Sequence, residues 1–350
     1  MMNSTTRVLC AGSLPNVRFH ERVEAAHSAG FDAISLFPHH YLNARTREKL
    51  SVADMQARLR EREIKVVTID PLLDWFSPDE SAAETLIYEA ATALEAPSIN
   101  VSPAFAPKLS QTALTETVYR VCQRAARHGL RVDFEILPWT IIPDYLTLFE
   151  LISASGQDNA AVTFDCLHFY RSGGRVQDLK RLGRQQLRRI SNIQLCDISS
   201  QPQPLTWHQD IKANLSLLAT GWESSRSIGF RKLLHIASKG YTGRKDAQVL
   251  MKEASCSRLL PGQGSIPLVE ILQTLSDHQC QPLLGMEVFS LNQNRLPAHQ
   301  SAKHLMNALQ RLEQQLEQQL EQQLEQQLEQ QVVGTPSVIS SDSNNKSMSC

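Results

Sequence analysis

The chain has 350 residues, of which 42% are hydrophobic and 20% charged, and its formal net charge is −1. That size and apolar content suit one large domain or two ordinary ones with a sizeable core, and the near-neutral charge excludes a general nucleic-acid or anionic-membrane surface, which would need a basic excess. No apolar run reaches the ~20 residues of a membrane span, the opening MMNSTTRVLCAGS lacks the apolar core of a secretory signal, and none of the seven scattered cysteines forms a Cys-x-x-Cys pair. A reducing cytoplasm is therefore the expected compartment, with neither a disulfide framework nor a zinc ribbon.

In chain order, short β-rich runs alternate with longer amphipathic ones. RVLCAG from Arg7 reads as a strand, and VRFHERVEAAHSAG as a helix closed by Gly30. FDAISLF follows as a second strand, then SVADMQARLREREI as a helix with Ser51 at its N-cap. The strand IKVVTID precedes the helix SAAETLIYEAATALEA, and the strand SINVSP precedes the helix QTALTETVYRVCQRAARHG. Strands RVDFEIL, AVTFD and ISNIQLCD come next. Residues 199 to about 258 break this rhythm with a polar, Ser/Gln-rich stretch. It resumes with LLPGQGSIPLVEILQTLSDHQ, the eighth strand PLLGMEVF and a helix from LPAHQSAKHLMNALQRL.

Eight β/α units predict an α/β protein, a (β/α)8 TIM barrel with a long insertion after strand 7. The rival, an open doubly wound sheet, lacks its phosphate fingerprint, because AGSLPN after strand one carries a single glycine. The barrel is expected to span residues 1–311. From Leu312 to about 332 the chain repeats LEQQ. Four residues advance ~400° along a helix, so the leucines drift ~40° per repeat and hold no fixed seam. This low-complexity helical extension, and a disordered tail over 333–350, are expected to be dispensable beyond about residue 313.

In such a barrel the chemistry sits at the C-terminal ends of the strands. Strand five ends near Glu135, strand six in Asp165 with His168 three residues on, strand seven in Gln194 and then Asp197, and strand eight in Glu287. An Asp-x-x-His pair alone is weak evidence, since the aspartate could merely cap the next helix or pair with an arginine. Three carboxylates and an amide oxygen on adjacent strands are different. Buried together they repel and are costly to desolvate, and a divalent cation resolves that cost. Oxygen-rich ligation suits Mn²⁺, Mg²⁺ or Co²⁺, and Zn²⁺ also fits.

The pattern resembles the xylose-isomerase-like barrels of the sugar phosphate isomerase/epimerase superfamily, over roughly residues 7 to 310. The resemblance rests on the four strand ends, on Asp165-x-x-His168, on RLLPGQGSIPL from Arg258 and on AAHSAGFDAISL. It implies one divalent metal ion held by Glu135, Asp165, Gln194 and Glu287. It implies Glu135 and Glu287 as base and acid, and His168 and Arg258 as substrate contacts. The expected activity is a metal-dependent isomerase or epimerase acting on a sugar-like or cyclic hydroxy-carbonyl compound through a metal-stabilised enediolate. Gln194 stands where the best-known epimerases carry histidine, as it also does in dehydratases acting on dehydroshikimate, so a lyase is the alternative. The endonuclease IV branch, with three metals and more histidines, is a remote rival, as is a non-catalytic barrel that recruits a partner through its repeat. Trp139 and Trp75 follow strand ends and are expected to line a partly apolar substrate pocket. The insertion, with Trp207 and His208, is expected to form a lid or a homo-oligomer contact.

Overall fold

The computed structural model describes residues 5–104, 107–203, 210–211 and 245–333, with side chains through 326. Its eight strands close into a parallel barrel in sequential order. They are β1 (Arg7–Leu9), β2 (Ala33–Leu36), β3 (Lys65–Leu72), β4 (Ser98–Val101), β5 (Arg131–Phe134), β6 (Ala160–Asp165), β7 (Ile190–Leu195) and β8 (Leu283–Met286). Six fall within the stretches that alternation and β-branching mark in the sequence, while β3 runs two residues past IKVVTID and β6 begins one residue before AVTFD. The helices that matter below are α1 (Phe19–Ala29), α2 (Pro38–Thr46), α3 (Val52–Glu61), α4 (Ala82–Ala93), α5 (Gln111–Ala126), α6 (Tyr145–Ser155) and α7 (Cys166–Arg171). Two short helices, α8 (Val176–Arg181) and α9 (Arg184–Leu187), precede β7, and α10 (Ala247–Cys256), α11 (Leu268–Asp277) and α12 (Ala298–Val333) complete the described set. No described helix is long and apolar enough to cross a membrane.

Strand alternation divides the interior in two. Side chains such as Ile34, Leu36, Ile99, Val132, Phe134, Val162, Phe164 and Ile193 join the helices in one continuous apolar core. Their sequence neighbours face the barrel axis, and many are polar yet buried: Thr68, Asp70, Asn100, Glu135, Asp165, Gln194 and Glu287. A barrel axis this polar at one end is a candidate site, because polar groups away from water weaken a core unless they are paired or hold a ligand.

Local signals set the helix starts. Ser51, Ser81 and Ser110 each accept the backbone N–H three residues on, which relieves an unpaired donor in the first turn. Gly30 closes α1 in the left-handed region at φ 87°, where a Cβ would be strained.

The C-terminal helix departs from expectation. α12 runs unbroken from Ala298 to Val333 and packs along α1 and α11. Leu312 and Leu316 are both buried in the main core, Leu320 packs partly against it, and Leu324 is 58% exposed. Glu313 forms a two-pronged pair with Arg7 at 2.9 and 3.1 Å. The drift of the leucines is real, but the first turns of the repeat meet the barrel before the drift turns them away. The packed part therefore extends beyond the expected boundary at 311, and residues just after 313 are not idle. The tail over 334–350 lies outside the described residues. So do Trp207 and His208 and most of the insertion. Its two ends are tied together: Arg171 of α7 grips Glu253 of α10 at 2.6 and 2.7 Å and the carbonyls of Ser199 and Ser200.

Candidate active site and metal centre

Asp165 ends β6 at the axis and is wholly buried. Tyr145, from the first turn of α6, brackets it: its hydroxyl donates to the carbonyl of Thr163 (3.1 Å) and accepts the N–H of Asp165 (2.6 Å). Asp165 Oδ1 accepts the N–H of His168 at 3.0 Å and so caps α7. Asp165 Oδ2 takes the guanidinium of Arg258 at 2.6 Å. Helix cap, arginine partner and clustered carboxylate, three readings the sequence offers as rivals, are met by one side chain.

The cap turns His168 back over the axis. Its Nε2 lies 3.5 Å from Glu135 Oε1 and 3.8 Å from Asp165 Oδ2. Glu135, Asp165 and His168 each offer a ligand atom within 4.8 Å of the others. Parallel pairing puts Gln194 beside Asp165 and Gly285 beside Gln194, so Glu287, two residues on, faces the same end. Glu287 Oε2 lies 3.7 Å from the Arg258 Nη1 that binds Asp165. All four expected ligands thus stand at one rim. Glu135, Asp165 and His168 are directly grouped, while Glu287 is joined through Arg258.

Two further residues belong to the cluster, and the sequence analysis passed over both. Asp70 on β3 and Asn100 on β4 are buried, and Asn100 Nδ2 donates to Asp70 Oδ1 (2.7 Å) and to Glu135 Oε2 (3.0 Å). The available signal was the run IKVVTID, which places an aspartate at a strand end as AVTFD does. Asp197, by contrast, is not part of the cluster. Its carboxylate accepts the N–H groups of Ile198, Gly262, Gly264 and Ile266. It gathers the loop that follows Arg258, and a Cβ on Gly264 would stand 2.2 Å from the carbonyl of Ile198.

The electrostatics are lopsided. Among the described residues, Asp70, Glu135, Asp165 and Glu287 face a single permanent cation, Arg258. Burial, with the neighbouring carboxylates, pushes Glu135 well above the ordinary range. Burial also lifts Glu287 well up, against the pull of Arg258, and it lifts Asp70 to about 6 despite the hydrogen bond from Asn100. Burial opposes charge on Asp165 too, but Arg258 and His168 outweigh it and hold its pKa below the usual value. Burial drives His168 down to about 4, so near neutral pH it is an uncharged imidazole. Its Nδ1, Gln194 Oε1 and Asn100 Oδ1 are buried with no hydrogen-bond partner. A divalent cation suits this donor set: surplus carboxylate oxygens, a neutral imidazole and an unspent amide oxygen.

The aromatic expectations divide. Trp139 stacks edge-on against His168, centroids 5.4 Å apart, so it does border the site. Trp75 does not. It is fully buried, donates its indole N–H to the carbonyl of Ser102 and meets Phe134, which faces the helix layer. Its position after a strand was visible in the sequence, but its direction was not.

Comparison with known proteins adds the lineage. Residues 23–312 match the family model described as xylose isomerase-like TIM barrel. An inosose isomerase of Halalkalibacterium halodurans is 21% identical over 264 residues, covering 69% of this chain and 86% of that one. Among solved structures, the IOLI protein with a zinc atom superposes at a TM-score of 0.65 with 15% identity, covering 88% of this chain and 97% of that one. The probable 3-DHS dehydratase AsbF of Bacillus anthracis superposes at 0.58 with 19% identity, covering 87% and 98%. At such identities the superpositions carry the fold alone, whereas the family match spans most of the sequence. The chain belongs to the xylose isomerase-like TIM barrel family.

Proposed function

We propose that this protein is a divalent-metal-dependent isomerase or epimerase acting on a small sugar-like or cyclic hydroxy-carbonyl compound. The observation that carries the reading is the group of four buried carboxylates with one arginine among them, beside the unpartnered amide oxygen of Gln194. Glu135, Asp165, Gln194 and Glu287 would hold the ion, with His168 within reach of two of them. A divalent ion here would supply Lewis acidity, making the hydrogen between a substrate carbonyl and its neighbouring hydroxyl easier to remove. Manganese, magnesium and cobalt suit the oxygen-rich set, and the zinc of the IOLI structure supports zinc as well.

The protein's own residues would do the rest. Glu135 and Glu287 sit three strands apart, one residue past the ends of β5 and β8, so they can serve opposite flanks of a bound substrate, one taking a proton and the other returning it. Their raised affinity for protons suits that exchange. Asn100 fixes the outer oxygen of Glu135 and leaves Oε1 turned toward His168. Arg258, clamped by the carbonyl of Ala254 and lying over the ring of Phe289 at 5.2 Å, offers a fixed positive group for substrate oxygens. Trp139 walls the His168 side with apolar surface, which suits a ring-shaped substrate more than an open polyol. The likeness to an inosose isomerase supports the same substrate class.

Gln194 supports a second outcome from the same residues: if the returning proton goes to a departing hydroxyl, the reaction is a dehydration. Solvent-exchange NMR tests both. The metal-loaded protein is incubated in D₂O with inososes, ketoses and dehydroshikimate-type compounds. Deuterium should enter at the carbon beside the carbonyl, or an unsaturated product should form, and Glu135→Gln should abolish either signal. Absence of exchange and of elimination across the whole panel would contradict the proposal.

A further inference from the structure

A second feature at the strand-end side of the barrel has no part in the chemistry above. A cavity of about 770 Å³ lies between the β1–α1 segment, α2 and α3. Its lining includes Arg18, Arg47, Arg58, His20, His40 and Asn43. Glu48 is the one carboxylate among the lining residues, and it is already engaged: Oε1 accepts the N–H of Phe19 at 3.0 Å and Oε2 meets His20 Nδ1 at 3.1 Å. Among the described residues no ion pair within 4.0 Å joins Arg18, Arg47 or Arg58 to a carboxylate, and Glu48 is held by Phe19 and His20 instead.

Behind the cavity floor sits Arg22 of α1, wholly buried. Its Nη2 donates to the carbonyl of Leu14 and stands 3.2 Å from His40 Nε2. That nitrogen is not a free acceptor. His40 Nδ1 accepts the N–H of Phe37 at 3.1 Å, so the ring proton lies on Nε2, which donates to the carbonyl of Pro15 at 2.8 Å. Arg22 Nε and Nη1 have no partner at all. Burial draws its pKa down to about 9, and only the Cys10 thiol opposes the shift. A buried guanidinium is ordinarily matched by a carboxylate or phosphate whose oxygens take its N–H groups. Here the match is missing, directly behind a concave surface carrying three more arginines.

We propose that this cavity binds a small multivalent oxyanion, a phosphate or phosphate-ester group. Arg47 and Arg58 would meet it at the rim, and its charge would be felt by Arg22 beneath His40 and Pro15. The cavity shares no lining residue with the carboxylate cluster, so the inference does not depend on the proposed reaction. A planar guanidinium fork is the side chain best shaped to bind such an anion.

The test is calorimetric titration of inorganic phosphate into the full chain after chelator treatment, at constant ionic strength set with chloride. Saturable binding of one phosphate per chain is expected, with a raised melting temperature. The exposed double variant Arg47→Gln/Arg58→Gln should weaken binding by about tenfold or more. Asp165→Asn should leave it intact, which separates this site from the metal cluster. Arg22→Met should also lose the phosphate-induced rise in melting temperature, and if it fails to fold, the double variant decides. Displacement of phosphate by a hexose phosphate would identify an ester as the ligand, and failure to displace it would identify free phosphate. Absence of saturable binding, equal binding by the double variant, or loss of binding in Asp165→Asn would overturn the proposal.

Discussion

Glu84 in the helix layer and the carboxylates at the strand ends are equally hidden from water, but only Glu84 is electrically balanced. Between α4 and α5, Glu84 takes Arg124 Nε at 2.6 Å and the Tyr88 hydroxyl at 2.5 Å, one carboxylate to one guanidinium. At the barrel rim, Asp70, Glu135, Asp165 and Glu287 share Arg258. A buried ion pair kept for packing comes with its partner, because an unmatched charge in low dielectric is expensive. A surplus of one sign marks a place where the chain is built around something it does not itself supply.

Breaking the unbalanced cluster should have the largest effect. Asp165→Ala removes a proposed metal ligand, the partner of a buried arginine and the cap of α7 at once. Metal content measured on the purified variant should fall to background. Urea unfolding should show a stability loss of about 3–5 kcal/mol, as for other buried pairs left half-made. Retained metal would show that the ion, if any, sits elsewhere. Breaking the balanced pair should hurt stability alone. Arg124→Met should cost roughly 3 kcal/mol, and adding Glu84→Leu should recover much of it, because a matched apolar pair replaces a matched ionic one. Metal content should not change in either variant, and if it did, the two regions would not be independent.

The contrast also shows what was legible in the sequence. The barrel was readable almost strand by strand, because strand period, helix period and cap residues are local properties. Glu135, Asp165 and Glu287 were readable because a parallel barrel puts every strand end at the same place, which turns sequence position into spatial position, and the same rule, applied to IKVVTID, would have found Asp70. What escaped depended on direction or on long-range partners. Asn100 sits inside SINV, and nothing local says that its amide bridges Asp70 and Glu135. Trp75 and Trp139 hold similar places after strands, yet one turns into the core and the other toward His168. Arg22 lies on the helix α1, where its burial depends on the loop that folds over it.

The smallest effect expected concerns the repeat. Ending the chain after Leu312 removes Leu316, which is 1% exposed, and the Arg7–Glu313 pair. Burial of one leucine is worth about 1.5–3 kcal/mol, so this truncation should melt a few degrees below the full chain. Ending it after Gln326, where the leucines have turned outward, should change almost nothing. Equal melting temperatures for both would show that the early repeat contributes no packing.

The central claim is that a cation completes the rim cluster, and its pH dependence follows from the chain alone. Glu135 and Glu287 are pushed well above their ordinary range and Asp70 to about 6, with burial the leading cause in each case. Without a metal, folding therefore favours their protonated forms, and the stability drawn from them is lost as pH rises, for Asp70 through about 6. A cation binds the deprotonated forms, so its affinity should rise over the same range, and each ion bound should release protons. The direct measurement is calorimetric titration of Mn²⁺ or Zn²⁺ into chelator-treated protein between about pH 5 and 7 in buffers of different ionisation enthalpy. The account predicts one ion per chain, binding that tightens with pH, and net proton release. Absence of saturable binding, or binding that neither changes with pH nor releases protons, would contradict it.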